Sequence, residues 1–412
     1  MSNTMPIGTR VKLSAMMFLQ FMMFAVFWAA LAPYVTNQGA EWASWKPWIL
    51  STMALGSLAS PLMGMFADRY FNGEKVLAVS NLICAAMLFM TARATSGLQV
   101  FVCLLIALLF YMPTWGLTAA IAMANSPAEQ FPQIRVFGTI GWVASVLFGL
   151  VGMKAFGVKI DGTNIPFYCG AGAAVAAALV GLLCPATPPK GKGQPFSVID
   201  ALGLRALSML KEKNFAVFIL VTLVAMIPFN IHFAFLGDFL ASKGFQQVTA
   251  VTYIGQAAEV FCMLLVTWAM RKFGVKWSIV AGLVALTIRY AAYYFAAGDL
   301  TSLVYVGILI HGVIFGFFVV GGQVYVGKTA AADMQGQAQG FYALMAFGVG
   351  SFIGTFVNDA LIKCYTKPEV LEGGTRVLKG SWDIIWLVTL ACALACTMVM
   401  VLLFNPKMEE GR

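Results

Sequence analysis

Gly64-Met-Phe-Ala-Asp68-Arg69-Tyr-Phe-Asn-Gly-Glu-Lys75 connects two long apolar runs of the chain, near residues 46–67 and 75–93. An α-helix needs about 17–25 apolar residues to cross a bilayer, and each run meets that requirement. The connecting segment carries charges of both signs, as expected for a loop at a membrane surface. The pattern therefore predicts two transmembrane helices joined by a short polar loop.

The composition of the whole chain extends this interpretation. Apolar residues make up 60% of the 412 positions and charged residues only 10%, against about 25% in a typical globular chain. A soluble fold of this length could not bury that much apolar surface, so a soluble protein is excluded. The formal charge of +9 does not indicate nucleic-acid binding, because the basic residues lie in short loops between apolar runs.

Twelve apolar stretches of transmembrane length predict an all-α membrane protein with two halves of six helices each. The first six lie near residues 13–34, 46–67, 75–93, 98–124, 133–154 and 164–184. The second six lie near residues 214–237, 247–270, 277–297, 301–326, 337–363 and 381–404. The longest polar connection predicts an N-terminal half at 1–189, a central cytoplasmic loop at 190–213 and a C-terminal half at 214–412.

The distribution of Lys and Arg predicts the orientation. If both termini are cytoplasmic, Lys and Arg are more numerous in the cytoplasmic loops than in the outer loops. In this arrangement Lys46 is assigned to the outer charges. Because cytoplasmic loops carry the excess of basic residues, we expect a multi-pass protein of the bacterial inner membrane with both termini cytoplasmic.

Two six-helix halves around a basic loop are the layout of transporters built from repeated halves. The segment 64–75 has a shorter echo at 270–276, Met-Arg-Lys-Phe-Gly-Val-Lys. The first copy resembles the Gly-x-x-x-Asp-Arg signature of the major facilitator superfamily, and its residues here are Gly64, Asp68 and Arg69. The resemblance implies the twelve-helix fold of that superfamily and a conformational role for these three residues. Asp68 can cap the next helix, and the basic residues can hold two helices together in one state.

Ionisable side chains inside a span are costly, so each one is a candidate for function. Arg135, Thr139 and Trp142 are spaced i, i+4 and i+7 and share one helix face. A cation, a hydroxyl and an aromatic ring in line suit the binding of a polar ligand. The alternative is that Arg135, about one turn inside the span, extends to the cytoplasm.

A second candidate pair is Gln256 and Glu259, at i and i+3 of the predicted eighth span. Apolar neighbours favour the neutral form of a carboxyl, which suits a residue that takes up and releases protons. The alternative is a carboxylate paired structurally with a buried Arg.

Both histidines of the chain, His232 and His311, fall inside predicted spans. Each could exchange protons near neutral pH, or could be a neutral histidine hydrogen-bonded to a neighbouring helix. Arg289, next to three tyrosines near the outer end of its span, is predicted to extend to the membrane surface.

No enzymatic motif is found in the sequence. The Gly-x-x-x-x-Gly-Lys-Ser/Thr loop that binds nucleotide phosphates is absent, as are metal-ligand spacings of His and Glu. We therefore expect neither an enzyme nor a cofactor or metal.

The residues 131–142, Phe-Pro-Gln-Ile-Arg-Val-Phe-Gly-Thr-Ile-Gly-Trp, with Tyr-Met-Pro-Thr at 111–114 and Gln-x-x-Glu at 256–259, resemble the nucleoside:proton symporter family of the major facilitator superfamily. The likeness covers essentially the whole chain and implies a central nucleoside cavity between the halves. The positions that match the family's binding motifs are Arg135, Thr139, Trp142, Asn230, Gln256 and Glu259, and the predicted substrate-binding residues also include His311 and Phe315.

The chain departs from the family pattern at three of its positions. The family carries an aromatic-Asp pair on the tenth span, where this chain has Phe315 and Gly316. A second amide position is occupied by Phe233, and His311 stands where the family more often has Tyr. Glu259, coupled to His311 or Arg135, would then have to carry the proton.

The sequence thus predicts a monomeric, proton-driven importer of a nucleoside or a related small polar solute. It would work by alternating access, with nucleoside, protons and the lipid bilayer as partners and no nucleic acid. One alternative is a transporter of a sugar or cell-wall fragment, by symport or uniport, and a remote one is a sensor that does not transport.

Overall fold

A computed structural model describes residues 5–60, 70–127, 130–189, 204–245, 247–330, 335–370 and 376–406. The motif residues Gly64, Asp68 and Arg69 lie outside these ranges, as does most of the predicted central loop. The conformational role of the motif therefore stays a prediction.

The described chain is mostly helical, as the apolar runs predict. In the first half of the sequence the helices are α1 (Ile7–Asn37), α2 (Ala40–Leu58), α3 (Gly73–Ala92), α4 (Gly97–Tyr111), α5 (Thr114–Ala124), α6 (Phe131–Ala144), α7 (Val146–Phe156) and α8 (Ile165–Leu183). A short 3₁₀ helix, Leu204–Lys211, precedes the second half.

The second half contains longer and less regular helices. They are α9 (Lys213–Ser242), α10 (Val248–Ala297), α11 (Leu303–Leu309), α12 (His311–Val313), α13 (Gly321–Thr329), α14 (Gln335–Ala343), α15 (Ser351–Tyr365) and α16 (Trp382–Leu403). Non-helical backbone at Gly274 divides α10 into two. Two π-helical segments, Ile314–Val320 and Leu344–Gly350, connect α12 to α13 and α14 to α15.

A two-stranded sheet interrupts the helical pattern before the last helix. Its strands are β1 (Thr366–Val370) and β2 (Arg376–Gly380). These strands are not evident from the sequence, because they are short and contain charged residues at exposed positions.

Ten helices in the described part of the chain are long and apolar enough to cross a membrane. The all-α membrane class is confirmed, whereas the total of twelve spans stays a prediction.

The packing of α8 shows how such helices are built. Its buried face is made mainly of small residues, among them Gly170, Ala174 and Ala177, while Leu179 and Leu182 on the opposite face are exposed. Small residues allow helix backbones to approach closely, and large apolar residues on the outside suit contact with lipid. The membrane thus allows large apolar side chains on the surface of the protein.

The chain forms two compact units. The first comprises residues 1–198, 234–253 and 368–378, and the second comprises residues 199–233, 254–367 and 379–412. The segment 234–253 therefore packs with the N-terminal unit although it follows the predicted central loop in sequence. The predicted boundaries of the two halves stay a prediction, because residues 190–203 are outside the described ranges.

A buried ion pair holds this segment within the first unit. The Nζ atom of Lys46 lies 2.6 Å from Oδ2 of Asp238, and both side chains are almost fully buried. Lys46 also donates to Oγ1 of Thr36 at 2.7 Å, and Thr36 donates to Oδ1 of Asp238 at 2.9 Å. Lys46 is thus a buried structural charge within α2 and not a loop residue, while the side of the membrane assigned to it stays a prediction.

Asp161 makes a second polar contact with the same segment. Its Oδ1 accepts a hydrogen bond from Oγ1 of Thr249 at 2.7 Å, and its Oδ2 accepts one from the Thr249 backbone N–H at 3.2 Å. Thr249 lies in the first turn of α10. A carboxylate at this position satisfies a free amide and the positive end of the helix dipole.

We expect Lys46→Met to lower the free energy of unfolding by about 3–5 kcal/mol, because it leaves the buried Asp238 carboxylate without its counter-charge. The double variant Lys46→Met/Asp238→Leu should recover much of the loss, since no unpaired charge remains. Denaturant unfolding of the purified protein in detergent measures both effects.

Lys363→Met is the matched control. Lys363 pairs with Asp359 at 2.7 Å, but its side chain is 54% exposed, so the loss should stay under about 1 kcal/mol. Equal losses for Lys46→Met and Lys363→Met would contradict the structural importance of the buried pair.

Candidate functional site

The first unit places Arg135 inside a group of aromatic side chains. The guanidinium carbon of Arg135 lies 4.4 Å from the ring centroid of Phe21 on α1, and Phe21 is itself buried in the packed core of this unit. A cation over an aromatic face is stabilised by the ring quadrupole. The guanidinium is thus held against α1 by a specific contact.

Trp142, two turns further along α6, contacts aromatic residues of three other helices, and Tyr111 on α4 packs against two of these residues, Phe24 and Trp115. We call the whole group the aromatic cluster: Trp142, Phe21, Phe24, Tyr111, Trp115 and Tyr253. The ring of Trp142 lies 5.5 Å from Phe24, 6.4 Å from Trp115 and 6.0 Å from Tyr253, measured between centroids. Such rings present flat faces and edges on which a planar heterocycle can stack.

The indole N–H of Trp142 has no hydrogen-bond partner among the described residues, although the atom is buried. A buried donor without a partner costs free energy unless a ligand or water satisfies it. The predicted Arg135, Thr139 and Trp142 face therefore combines a cation, a hydroxyl and an unsatisfied donor next to the aromatic cluster.

A separate polar network on α1 is structural. Gln20 donates to Oγ1 of Thr114 at 2.6 Å and accepts from Nδ2 of Asn81 at 2.9 Å. The hydroxyl of Tyr111 donates to the Gln20 carbonyl at 2.8 Å. These hydrogen bonds link α1 with α3, α4 and α5, and of these helices α1, α4 and α5 also carry rings of the aromatic cluster.

The second unit brings Gln256, Glu259 and His311 together. Oε2 of Glu259 lies 3.6 Å from Nε2 of His311, and the Glu259 side chain is 14% exposed. Gln256 is buried, and its Oε1 is unpartnered within the described part of the chain. Two groups on one face of α10 are therefore available to a polar ligand or a proton.

Aromatic residues enclose His311 in the same unit. The ring of Phe233 packs edge-on at 5.3 Å between centroids, and Phe315 lies at 6.1 Å. The His232 ring stacks on that of His311 at 5.4 Å, with 14° between the planes. Nδ1 of His232 is also 3.0 Å from the Tyr293 hydroxyl, so both histidines make contacts with neighbouring helices.

Asn230 and Gly316 are placed differently from the other predicted residues. Asn230 donates to the Ser351 carbonyl at 2.9 Å and to Oγ1 of Thr355 at 3.3 Å, so its NH₂ group ties α9 to α15. A Cβ added at the buried Gly316 would lie 3.1 Å from Cγ2 of Val266. The position at which the family carries Asp therefore faces α10 beside Val266.

The prediction for Arg289 was wrong. Its side chain has 0% exposure and does not reach the surface. Its Nη2 lies 2.9 Å from Nδ1 of His311, and its Nε donates to the Gly307 carbonyl at 3.0 Å. A cation inside a span needs such partners, but one sequence does not show which residue on another helix supplies them.

The profile of the nucleoside H⁺ symporter family matches residues 7–409. The chain belongs to this family. The candidate nucleoside transporter YegT of Escherichia coli (strain K12) is 34% identical to it over 382 residues, covering 91% of this chain and 89% of YegT. The xanthosine permease of the same organism is 27% identical over 406 residues, covering 93% of each protein.

A solved structure supports the same assignment. The crystal structure of a single-site mutant of the nucleoside transporter NupG matches with a TM-score of 0.84 and 25% identity, covering 96% of this chain and 100% of NupG. The predicted family, the major facilitator fold and the nature of a multi-pass nucleoside–proton symporter are confirmed. The roles of individual residues stay predictions.

Gly138→Ala tests the aromatic environment of Arg135. The new Cβ would lie 2.7 Å from Nη1 of Arg135 and 2.9 Å from Cδ2 of Phe21, so the guanidinium must leave the ring face. Loss of a cation–π contact of about 0.5–2 kcal/mol corresponds to about a 2- to 30-fold weakening. We expect the KM for nucleoside uptake to rise within this range.

Gly149→Ala on α7 is the control, because its Cβ would meet only Cγ1 of Ile160, at 3.9 Å. It should leave uptake unchanged. If both variants transport like the wild type, the placement of Arg135 over Phe21 has no role in substrate binding.

Proposed function

We propose that this chain imports a nucleoside together with a proton, and that Glu259 is the residue that exchanges the proton. Family membership supports the transported pair. The observation that carries the residue assignment is the side chain of Glu259, which lies on α10 in the second unit, is 14% exposed and faces Nε2 of His311.

Each of the two units carries residues whose chemistry suits one part of a nucleoside. In the first unit, the aromatic cluster supplies stacking surfaces, and Arg135, Thr139 and Trp142 supply donors for a nucleobase. In the second unit, Gln256 and Glu259 supply acceptors that suit sugar hydroxyls. His311 lies beside Glu259 and Phe315 packs against the His311 ring, whereas Asn230, the other predicted contact of this unit, is bonded to α15.

The family carries an Asp where this chain has Gly316, and its absence here is consistent with proton coupling through a single carboxylate. Because Gly316 faces Val266, the glycine leaves Glu259 as the carboxylate next to His311. We further propose a monomer in the bacterial inner membrane, with both termini cytoplasmic and no nucleic-acid partner.

Uptake of radiolabelled uridine and adenosine into proteoliposomes, with and without an inward proton gradient, tests the proposal. Wild-type protein should accumulate nucleoside only with the gradient. Glu259→Gln should reduce gradient-driven uptake to the rate without a gradient, because an amide cannot exchange the proton, and should retain nucleoside counterflow.

Glu369→Gln, at an exposed position on β1, is the matched control and should behave like the wild type. Gradient-driven uptake by Glu259→Gln would exclude Glu259 as the proton carrier. Uptake of sugars but not of nucleosides would instead favour a sugar as the transported substrate. The departures from the family pattern at positions 233 and 316 would then be attributed to this change of substrate.

A further inference from the structure

Arg289 is a buried cation with a defined hydrogen-bond geometry. Its Nε donates to the carbonyl of Gly307 at 3.0 Å, and its Nη2 lies 2.9 Å from Nδ1 of His311. The two partners are one helical turn apart on the same span, so a single guanidinium group contacts both. Its position is thus fixed by two bonds from adjacent edges of one planar group.

The contact with Arg289 determines where the imidazole of His311 carries its hydrogen. A guanidinium has only donors and stays protonated in proteins, so Nδ1 of His311 must accept this bond with its lone pair. The hydrogen of the neutral ring is then on Nε2. That atom faces Oε2 of Glu259 at 3.6 Å, and the N–H is therefore directed toward the carboxylate.

The same contact opposes a doubly protonated His311. An imidazolium would place an N–H on Nδ1 against the N–H of Arg289 at 2.9 Å, with two cations in contact at a site that is 0% exposed for Arg289. Coulomb repulsion at that distance is large where water is excluded. The other titratable groups around the ring are Glu259 on one side and the stacked His232, which contacts Tyr293 on the other.

Close helix packing keeps the His311 ring in this orientation. A Cβ added at Gly312 would lie 2.8 Å from the Ala258 carbonyl oxygen and 2.8 Å from the Glu259 Cα. The backbone next to His311 is therefore in direct contact with the backbone next to Glu259. Phe233 packs edge-on against the ring, which leaves little room for the imidazole to turn over.

We propose that Arg289 is a positioning residue for proton coupling, which holds His311 neutral with its N–H on Nε2, so that His311 acts as a fixed donor to Glu259 and does not itself carry the proton. The proposal deepens the proposed function, because it assigns the proton to one member of the Arg289–His311–Glu259 chain. Only the assignment of the transported proton to Glu259 rests on the proposed function. The tautomer of His311 can be measured whether or not the protein transports a nucleoside.

Nitrogen NMR of the purified protein in lipid nanodiscs tests the tautomer directly. The chain has only 2 His, so labelling with ¹⁵N-histidine gives two ring systems, and His232→Asn identifies that of His311. Between about pH 5 and 8, where histidine ordinarily titrates, His311 should keep an unprotonated Nδ1 and a protonated Nε2. An Nδ1-protonated ring, or titration of His311 in this range, would overturn the proposal.

Arg289→Gln tests the cause. Without the guanidinium, His311 should titrate in the same pH range, and the pH profile of gradient-driven uptake should gain a second ionisation. Arg271→Gln, at an exposed position of α10 before the break at Gly274, should change neither the spectrum nor the profile. If Arg289→Gln does not fold, Arg289→Lys retains one donor and should show a partial loss of the fixed tautomer.

The two readouts separate this proposal from the proposed function. A fixed Nε2–H tautomer in a protein that transports no nucleoside would contradict the proposed function and leave the positioning role of Arg289 intact. A titrating His311 in a protein that transports nucleosides would do the reverse. Unchanged His311 signals in folded Arg289→Gln would show that another group fixes the tautomer.

Discussion

A charged or strongly polar side chain inside a bilayer must find its partners within the protein, because lipid offers none. The buried polar groups of this chain are arranged around that constraint. Lys46, Thr36 and Asp238 satisfy one another in the first unit, and Arg289, His311 and Glu259 form a chain of contacts in the second. Helix positions in both units depend on these pairings, because moving one helix would leave a buried charge without a partner.

Small residues make these pairings geometrically feasible. The Ala and Gly face of α8 and the close approach at Gly312 bring backbones near enough for short side chains to meet across helices. Large apolar residues then cover the outside. Packing and polar contacts are therefore linked: the glycine next to His311 brings the Glu259 backbone near, and the resulting distance allows an imidazole to face a carboxylate.

The surroundings of residues 311 and 316 show how a member of this family can differ from the family pattern at these positions. The chain has the family profile over residues 7–409, yet it has glycine at 316 and histidine at 311. The glycine faces Val266 rather than the ligand-accessible acceptors, whereas the histidine is held between a cation and an acid. The residues proposed for proton coupling thus lie on α10 and on the span that begins at Leu303.

The membrane class, the helical architecture, the family and the residue types of the candidate site are already evident in the order of the amino acids. Long apolar runs and a few intramembrane polar residues are local patterns, and the motifs around Arg135 and Glu259 are contiguous in the chain. The roles of Lys46 and Arg289 become clear only once the helices are packed, because from sequence alone each could lie near a membrane surface. Their partners, Asp238 and His311, are on other helices, at distances in sequence over which no periodicity or spacing predicts contact. The pairing of a buried charge depends on how helices pack, and that packing is decided by many small contacts that are distributed across the fold.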